Sequence, residues 1–274
     1  MKTKLALIVS AALVSGTAFA GNDADVDLQQ SAFDRVTITQ VTAHADPSLG
    51  NHADVDMKYS LSNPVTIYQN GNSNQAKVDV SGTSYADPAF FNTVGISQNG
   101  DSNNSTVFVK GGADFNKATV SITGDSNITS TTFEGDNADS NTATITVSNG
   151  DGNEITTYAS GSGNTAIVNV TASDKNIVDI TQNSDSNTAE VDITGYSYGN
   201  SVDIVQWNNN TADVDISNSW WNGVDIDQTS SLSSATVEIS NSSFNRVGIL
   251  QNGSDSANVN IAYSFGSVVS ITQD

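Results

Sequence analysis

Two histidines, His44 and His52, stand near Asp46 and Asp54, and imidazole beside carboxylate is the chemistry of a metal site or a proton relay. Their spacing matches no ligand motif, and both belong to or flank a loop, so they read as solvated loop residues. The chain has no cysteine to act as nucleophile or soft ligand, and no serine is matched to a base in a triad. Catalysis needs a convergent site. Parallel β-helix hydrolases place carboxylates on an outer face once, whereas acids recur here all along the chain. No enzyme activity, metal or cofactor is expected. Trp207, Trp220 and Trp221 have the type to stack on a sugar, but their setting favours packing at turns and strand edges. The glycine-rich repeat of calcium-binding coils is absent.

The group that does recur is the carboxamide. Asn176-Ile-Val-Asp-Ile-Thr-Gln182 returns as Asn200-Ser-Val-Asp-Ile-Val-Gln206 and as Asn222-Gly-Val-Asp-Ile-Asp-Gln228. Between them lies a second phrase, Asn187-Thr-Ala-Glu-Val-Asp-Ile193 and then Asn210-Thr-Ala-Asp-Val-Asp-Ile216. The two phrases alternate, which makes a repeat of roughly 23 residues, within the range that marks stacked-coil architectures. Carboxamides both donate and accept, so they can satisfy one another when stacked.

Counting from each leading Asn, Ser or Asp, the sequence divides into 21 seven-residue strands, beginning at residues 22, 34, 51, 63, 74, 92, 103, 116, 127, 141, 153, 164, 176, 187, 200, 210, 222, 233, 245, 255 and 267. Alternate positions of a strand share a face, so Asn, Val or Ala, Ile or Val, and Gln or Ile point inward together. The intervening Thr, Asp, Ser and Gly face solvent. Short links such as Asn70-Gly-Asn-Ser73, Asn99-Gly-Asp-Ser102 and Asn183-Ser-Asp-Ser186 hold residues that tolerate left-handed backbone. Two longer links, 41–50 and 81–91, each contain Ala-Asp-Pro and read as surface excursions. Pro64 falls on an outward position at a strand start, where a missing donor does least harm. The alternation slips once: the strands at Asn103 and Asn116 both carry the second phrase, and the pattern is weakest from Gly111 to Thr157.

The inward amides choose between two architectures with this strand spacing. In an antiparallel meander, phrases have no reason to recur every second strand. In a coil with two strands per turn, each phrase lies over its own copy about 4.8 Å away, and each amide donates up the stack and accepts from below. The expected fold is therefore all-β: a two-sheet β-solenoid of about ten strand–turn–strand coils, roughly 50 Å long at that rise, able to stack into cross-β amyloid. Its structural amide ladder comprises Asn63, Gln69, Asn74, Asn92, Gln98, Asn176, Gln182, Asn187, Asn200, Gln206, Asn210, Asn222, Gln228, Asn245, Gln251 and Gln273. Sequons such as Asn127-Ile-Thr129 fall on strand starts, where the ladder already accounts for Asn.

Met1 to Ala20 reads as a secretory signal peptide, with Lys2 and Lys4, an apolar run from Leu5 to Val14, and Ala18-Phe19-Ala20 before the cut. That run is too short to span a bilayer, so no transmembrane segment is expected. Cleavage leaves residues 21–274 as the repeat domain, with 7 basic against 30 acidic residues and a net charge of −23. Such a charge argues against nucleic acid and anionic membrane surfaces as partners.

The phrase Asn-x-Val-x-Ile-x-Gln, a Gly/Asn/Ser turn, then Asn-x-Ala-x-Val resembles the curlin repeat of bacterial curli, the secreted amyloid fibres of biofilms. Asn63 to Ala76 and Asn176 to Ala189 each carry three of the four inward marks of that repeat, and Gln206-Trp207-Asn208 is similar to a turn found in curlins. The chain departs from the pattern where Ile193, Ile216, Ile239 and Ile261 stand in place of the second Gln, and the short Gly-rich export leader is missing. The resemblance implies a secreted, cell-surface structural subunit that polymerises with itself into curli-like fibres for biofilm matrix, adhesion and cell aggregation. It also implies a nucleator subunit and an outer-membrane export pore as partners. The contrasting reading is an extracellular β-solenoid adhesin or ice-binding protein that forms no fibre. Ranked outward threonines would favour ice, but carboxylates interrupt Thr144 and Thr156 in that position.

Stacking the phrases also aligns acids: Asp179, Asp203 and Asp225 in one outward column, Asp192, Asp215 and Glu238 in another, and Asp27, Asp56 and Asp79 in a third near the start. Like charges at that spacing oppose stacking and should raise the carboxyl pKa values, so that acid favours assembly.

Overall fold

The computed structural model describes residues 9–11, 21–42, 47–135 and 137–274. Most of the expected signal peptide, and His44 and Asp46 of the first long link, lie outside the described residues. The 21 repeat strands all form, each starting one residue after its leading Asn, Ser or Asp. With Val9–Ala11 they build two 11-stranded sheets in which every pairing is parallel. Sheet A runs from Val9–Ala11 and Arg35–Val41 up to Ser256–Ala262, and sheet B from Asp23–Gln29 up to Val268–Gln273. Successive repeat strands enter alternate sheets, so the chain winds as a β-solenoid of about ten turns. Among the described residues no helix is long and apolar enough to cross a membrane.

The alternating pattern produces this shape directly. β-Branched side chains suit a pleated, half-buried surface, and the inward set forms one continuous core between the sheets. Val178, Val202, Val224 and Val247 form one buried column of sheet B, and Ile180, Ile204, Ile226 and Ile249 form the next. Ala189, Ala212 and Ala235 oppose them in sheet A, followed by Val191, Val214 and Val237. Each column repeats one residue type at one level, so neighbouring coils present identical shapes and close-pack.

The slip in the repeat becomes an exchange of sheets. In the first part of the molecule the Gln phrase lies in sheet A, with Gln40, Gln69 and Gln98 in register. In the second part it lies in sheet B, with Gln182, Gln206, Gln228, Gln251 and Gln273 in register. Strand alternation never falters; only the phrase changes side.

Three short strands lie outside the repeat pattern. Val9–Ala11 pairs with the outer edge of Arg35–Val41. Ala89–Phe90 pairs with Ser60–Leu61, and Ala89 is fully buried. The second long link is thus no simple surface excursion: its last residues are built into the corner of the solenoid, while Ser81 completes a strand. The first link likewise begins later than expected, since Val41 is the last residue of its strand, and Pro47–Leu49 forms a 3-10 turn. The Trp207–Asn208 pair also differs from the turn expected there, since the strand Ser201–Asn208 runs through it, with an irregularity against Gly223–Ser231 after Gln206.

Candidate functional site

The carboxamides inside the coils form hydrogen-bonded ladders of two opposite polarities. Every expected ladder residue is buried except Gln273, which lies on the last coil and is half-buried. In the glutamine ladder each Nε2 donates toward the C-terminal coil. Gln182 donates to Gln206 Oε1 at 3.1 Å, Gln206 to Gln228 at 3.0 Å, Gln228 to Gln251 at 2.9 Å and Gln251 to Gln273 at 3.0 Å. Gln40, Gln69 and Gln98 are linked in the same sense, at 2.9 Å each. Each Nε2 also reaches a strand carbonyl, as Gln206 does at Thr188.

The asparagines run the other way, against the expectation that every amide donates up the stack. The backbone N–H and Nδ2 of Asn200 both donate down to Asn176 Oδ1, and those of Asn222 donate to Asn200. Asn92, Asn74, Asn187 and Asn245 follow the same rule, Asn63 donates in the same sense to Asp34 Oδ1, and Asn210 sends its backbone N–H down to Asn187 Oδ1 while its Nδ2 donates to Gln228 O. The cause is local: Asn is the residue before the strand, so its own N–H points down the stack, and the short side chain below supplies the acceptor. Its Nδ2 then also caps a carbonyl of the next coil, as Asn200 does at Ser219.

A third ladder, of serines, is absent from the expected set. Buried serines three residues ahead of the leading Asn pass a bond from corner to corner. Ser197 N donates to Ser173 Oγ, Ser219 N to Ser197 Oγ, Ser242 N to Ser219 Oγ and Ser264 N to Ser242 Oγ. Its signal in the sequence is Ser-x-x-Asn, in Ser197-Tyr-Gly-Asn200 and Ser219-Trp-Trp-Asn222. These corners hold two or three left-handed residues each, for example Asn218 and Trp221 in one and Gly195, Tyr196 and Gly199 in another. Trp220 and Trp221 are about half exposed there; Trp221 meets Tyr198 edge-on at 5.4 Å, and Trp220 Nε1 donates to Tyr196 O.

The outward acids stand in the expected columns, Asp179–Asp203–Asp225 in sheet B and Asp192–Asp215–Glu238 in sheet A. Glu190 and Asp213 add a fourth. Burial, more than mutual repulsion, pushes the Asp203 carboxyl above its usual range, and Asp179, Asp225 and Asp227 push it the same way. Asp179, Asp213, Asp215, Asp227 and Glu190 are raised with burial as the leading cause. The third column is partly neutralised: Lys77 pairs with Asp54 and reaches Asp56 at 3.3 Å. Asp79 is pushed up by burial, while Lys110 pulls it back. His52 faces Asp23 at 3.4 Å, and among the described residues no cluster of His, Cys, Asp or Glu can hold a metal ion.

No protein-family profile matches the chain, and no curated protein is significantly similar to it. The arrangement holds buried hydrogen-bonding groups in chains that run through the coils as far as the last one.

Proposed function

We propose that this protein is a secreted structural subunit that stacks end to end into curli-like amyloid fibres of a biofilm matrix, after removal of Met1 to Ala20. The observation that carries the reading is the open top of the solenoid. No described strand pairs with the outer edges of Ser256–Ala262 and Val268–Gln273, and Gln273 ends the buried ladder with its Nε2 bonded to Ser256 O alone. Natural sheets blunt such edges with proline, lysine or a covering element; the strands Ser256–Ala262 and Val268–Gln273 carry no lysine, arginine or proline. Identical strands continued between copies are the cross-β arrangement. The resemblance to curlin repeats supports the same reading, and with it a nucleator and an outer-membrane pore as partners and the cell surface as location.

The test is incubation of the chain beginning at Gly21, followed by thioflavin T and fibre diffraction. Fibres with a reflection at about 4.8 Å along the fibre axis are expected. Deleting Ser267 to Asp274 should slow seeded growth. A chain that stays monomeric at every concentration tested overturns the proposal and leaves the solenoid as a solitary surface protein.

A further inference from the structure

The two ends of the solenoid differ in which sheet carries the glutamine phrase. At the first coil, sheet B offers Ala24, Val26 and Leu28, while sheet A offers Val36, Ile38 and Gln40. At the last coil the assignment is reversed: sheet A offers Ala257, Val259 and Ile261, and sheet B offers Val269, Ile271 and Gln273. A second copy placed on top with its sheets aligned would set Gln40 over Ile261 and Leu28 over Gln273. A copy turned by half a revolution about the long axis sets Ala24 over Ala257, Val26 over Val259, Leu28 over Ile261, Val36 over Val269, Ile38 over Ile271 and Gln40 over Gln273.

We infer that subunits join head to tail with a half-turn between neighbours, so that sheet A of one copy is continued by sheet B of the next. This rests on the fibre reading above and specifies its joint. Two-sheet coils permit the operation because the strands of the two sheets run in opposite directions, and a half-turn about the axis exchanges them while preserving the winding.

The hydrogen-bonding ends fit in both polarities. Gln273 Nε2 has a donor to spare, and Gln40 has committed its Nε2 to Asp23 O, Asn51 O and Gln69 Oε1, which leaves its carbonyl oxygen for the neighbour. That continues the glutamine ladder in its own direction. Asp255, which stands at the asparagine position of the last sheet-A strand, has a buried Oδ2 with no partner. The half-turn brings Asn22 over it, with an N–H aimed down the stack as in every asparagine above a neighbour. Asn22 already serves as the acceptor for Asn51 N, so it occupies the ladder in the required way. With sheets aligned, Asp34 would instead lie over Asp255, and two carboxylates would face each other in the ladder.

The corners agree. Gln30 to Asp34 and Tyr263 to Ser267 are both five-residue corners. Both are left-handed at the first and fourth residue, with φ of 53° and 58° in one and 51° and 70° in the other. The half-turn places these two corners over each other, Ser31 over Ser264. The aligned arrangement would set the corner from Gln30 over the four-residue link from Asn252 to Asp255. The position that Val269, Ser270 and Ile271 take against Val36, Thr37 and Ile38 is held, in the uncut chain, by Val9, Ser10 and Ala11. Removal of the leader is therefore also what opens the docking edge.

Four outward positions test the joint in a chain that has no cysteine of its own. In the half-turn arrangement Thr39 lies over Thr272 and Asp27 over Asn260, at a strand spacing a disulfide can span. With sheets aligned, Asp27 lies over Thr272 and Thr39 over Asn260. Double variants of the chain from Gly21 are assembled under reductant and then oxidised. T39C/T272C and D27C/N260C should give ladders of linked oligomers, while D27C/T272C and T39C/N260C stay monomeric on a denaturing gel. Fibres whose linkage follows the second pair of variants, or neither, overturn the half-turn while leaving the fibre reading intact. Absence of fibres from the unsubstituted chain overturns both. Should the cysteine variants fail to assemble where the unsubstituted chain does, solid-state NMR of the latter decides: side-chain contact between Gln273 and Gln40 is expected, and contact between Gln273 and Leu28 overturns the inference.

Discussion

Replacing Gln206 by leucine removes one rung from the middle of the buried glutamine ladder without changing the size of the side chain much. Gln206 is fully buried, accepts from Gln182 at 3.1 Å, and donates to Gln228 Oε1 and Thr188 O at 3.0 Å each. The leucine leaves one N–H of Gln182 and the oxygen of Gln228 without their partners. Each orphaned buried group costs about 1–3 kcal/mol. Added apolar burial returns about 1.5–3 kcal/mol, so a net loss of about 1–3 kcal/mol is expected. Outward Val205→Ala on the same strand should stay within about 0.5 kcal/mol.

The informative comparison is the whole column. Converting Gln182, Gln206, Gln228, Gln251 and Gln273 to leucine together leaves no carboxamide to be orphaned. Sheet A already holds Ile193, Ile216 and Ile239 fully buried at its own strand ends. The fivefold variant should therefore lose less stability than the sum of the five single variants. Urea unfolding followed by tryptophan fluorescence reads this directly, since Trp207, Trp220 and Trp221 lie in the coils that carry Gln206 and Gln228. Additivity to within about 0.5 kcal/mol would refute the claim that the glutamines act as a chain of mutual partners.

Acid should stabilise the solenoid over part of the pH range. Asp179, Asp203, Asp213, Asp215, Asp227 and Glu190 bind protons more tightly folded than unfolded. Their charged forms therefore cost stability above the raised folded values, and that cost disappears as pH falls toward the ordinary 3.8 of Asp and 4.5 of Glu. The urea midpoint should rise as pH falls from 7 toward those ordinary carboxyl values, and less so in D203N/D215N; a midpoint that falls throughout that range contradicts the assignment. Gly100→Ala should cost at least about 1–3 kcal/mol from backbone strain at its φ of 131°, and more because an added Cβ would lie 2.1 Å from Gly124 O. Gly95→Ala, where nothing lies within 4 Å, is the control, and equal effects in the same unfolding assay would refute the close stacking. Ser105→Ala should cost about 1–3 kcal/mol, since Ser105 Oγ accepts from both Gln98 Nε2 and Thr129 Oγ1; outward Ser130→Ala should be silent by the same measurement.

Strand positions, their inward faces and the parallel coil were all legible because each rests on one short-range rule, the two-residue period, applied to phrases that recur. The acid columns followed from the same register. Features that depend on backbone direction were not legible in that way. Whether a leading asparagine donates up or down is set by the orientation of its own N–H just before the strand, which no composition encodes. Asn200 and Gln206, neighbours in one phrase, therefore build ladders of opposite sense. Even in the weakest part of the repeat the rule holds, since Asn153 donates down to Asn127 Oδ1. The serine ladder is hard to see in the sequence because the residues between Ser and Asn vary from Tyr-Gly to Trp-Trp, which hides the spacing. Ala89–Phe90 is hidden for a related reason: a strand of two residues is too short to show a period.

The slip between Asn103 and Thr157 was the hardest feature to read, and it has a physical reason that periodicity alone does not reveal. A buried ladder of glutamines cannot end against a valine or isoleucine without leaving an amide unpaired. Gln98 is the last of its ladder, and its Nε2 crosses the interior to Ser105 Oγ at 2.9 Å. Thr129 Oγ1 joins the same oxygen at 3.0 Å, and Thr157 bonds Thr131 one column over. Hydroxyls therefore stand where the pattern calls for Ala and Ile, and that substitution is what makes the segment look degenerate. Phe133 and Ala159 fill the strand-end column of sheet B until Gln182 starts the second ladder there. The weakest stretch of the repeat is thus the part that lets the ladder change sheets. Without that change the first and last coils would carry glutamine in the same sheet, and a neighbour turned by half a revolution would meet the wrong column.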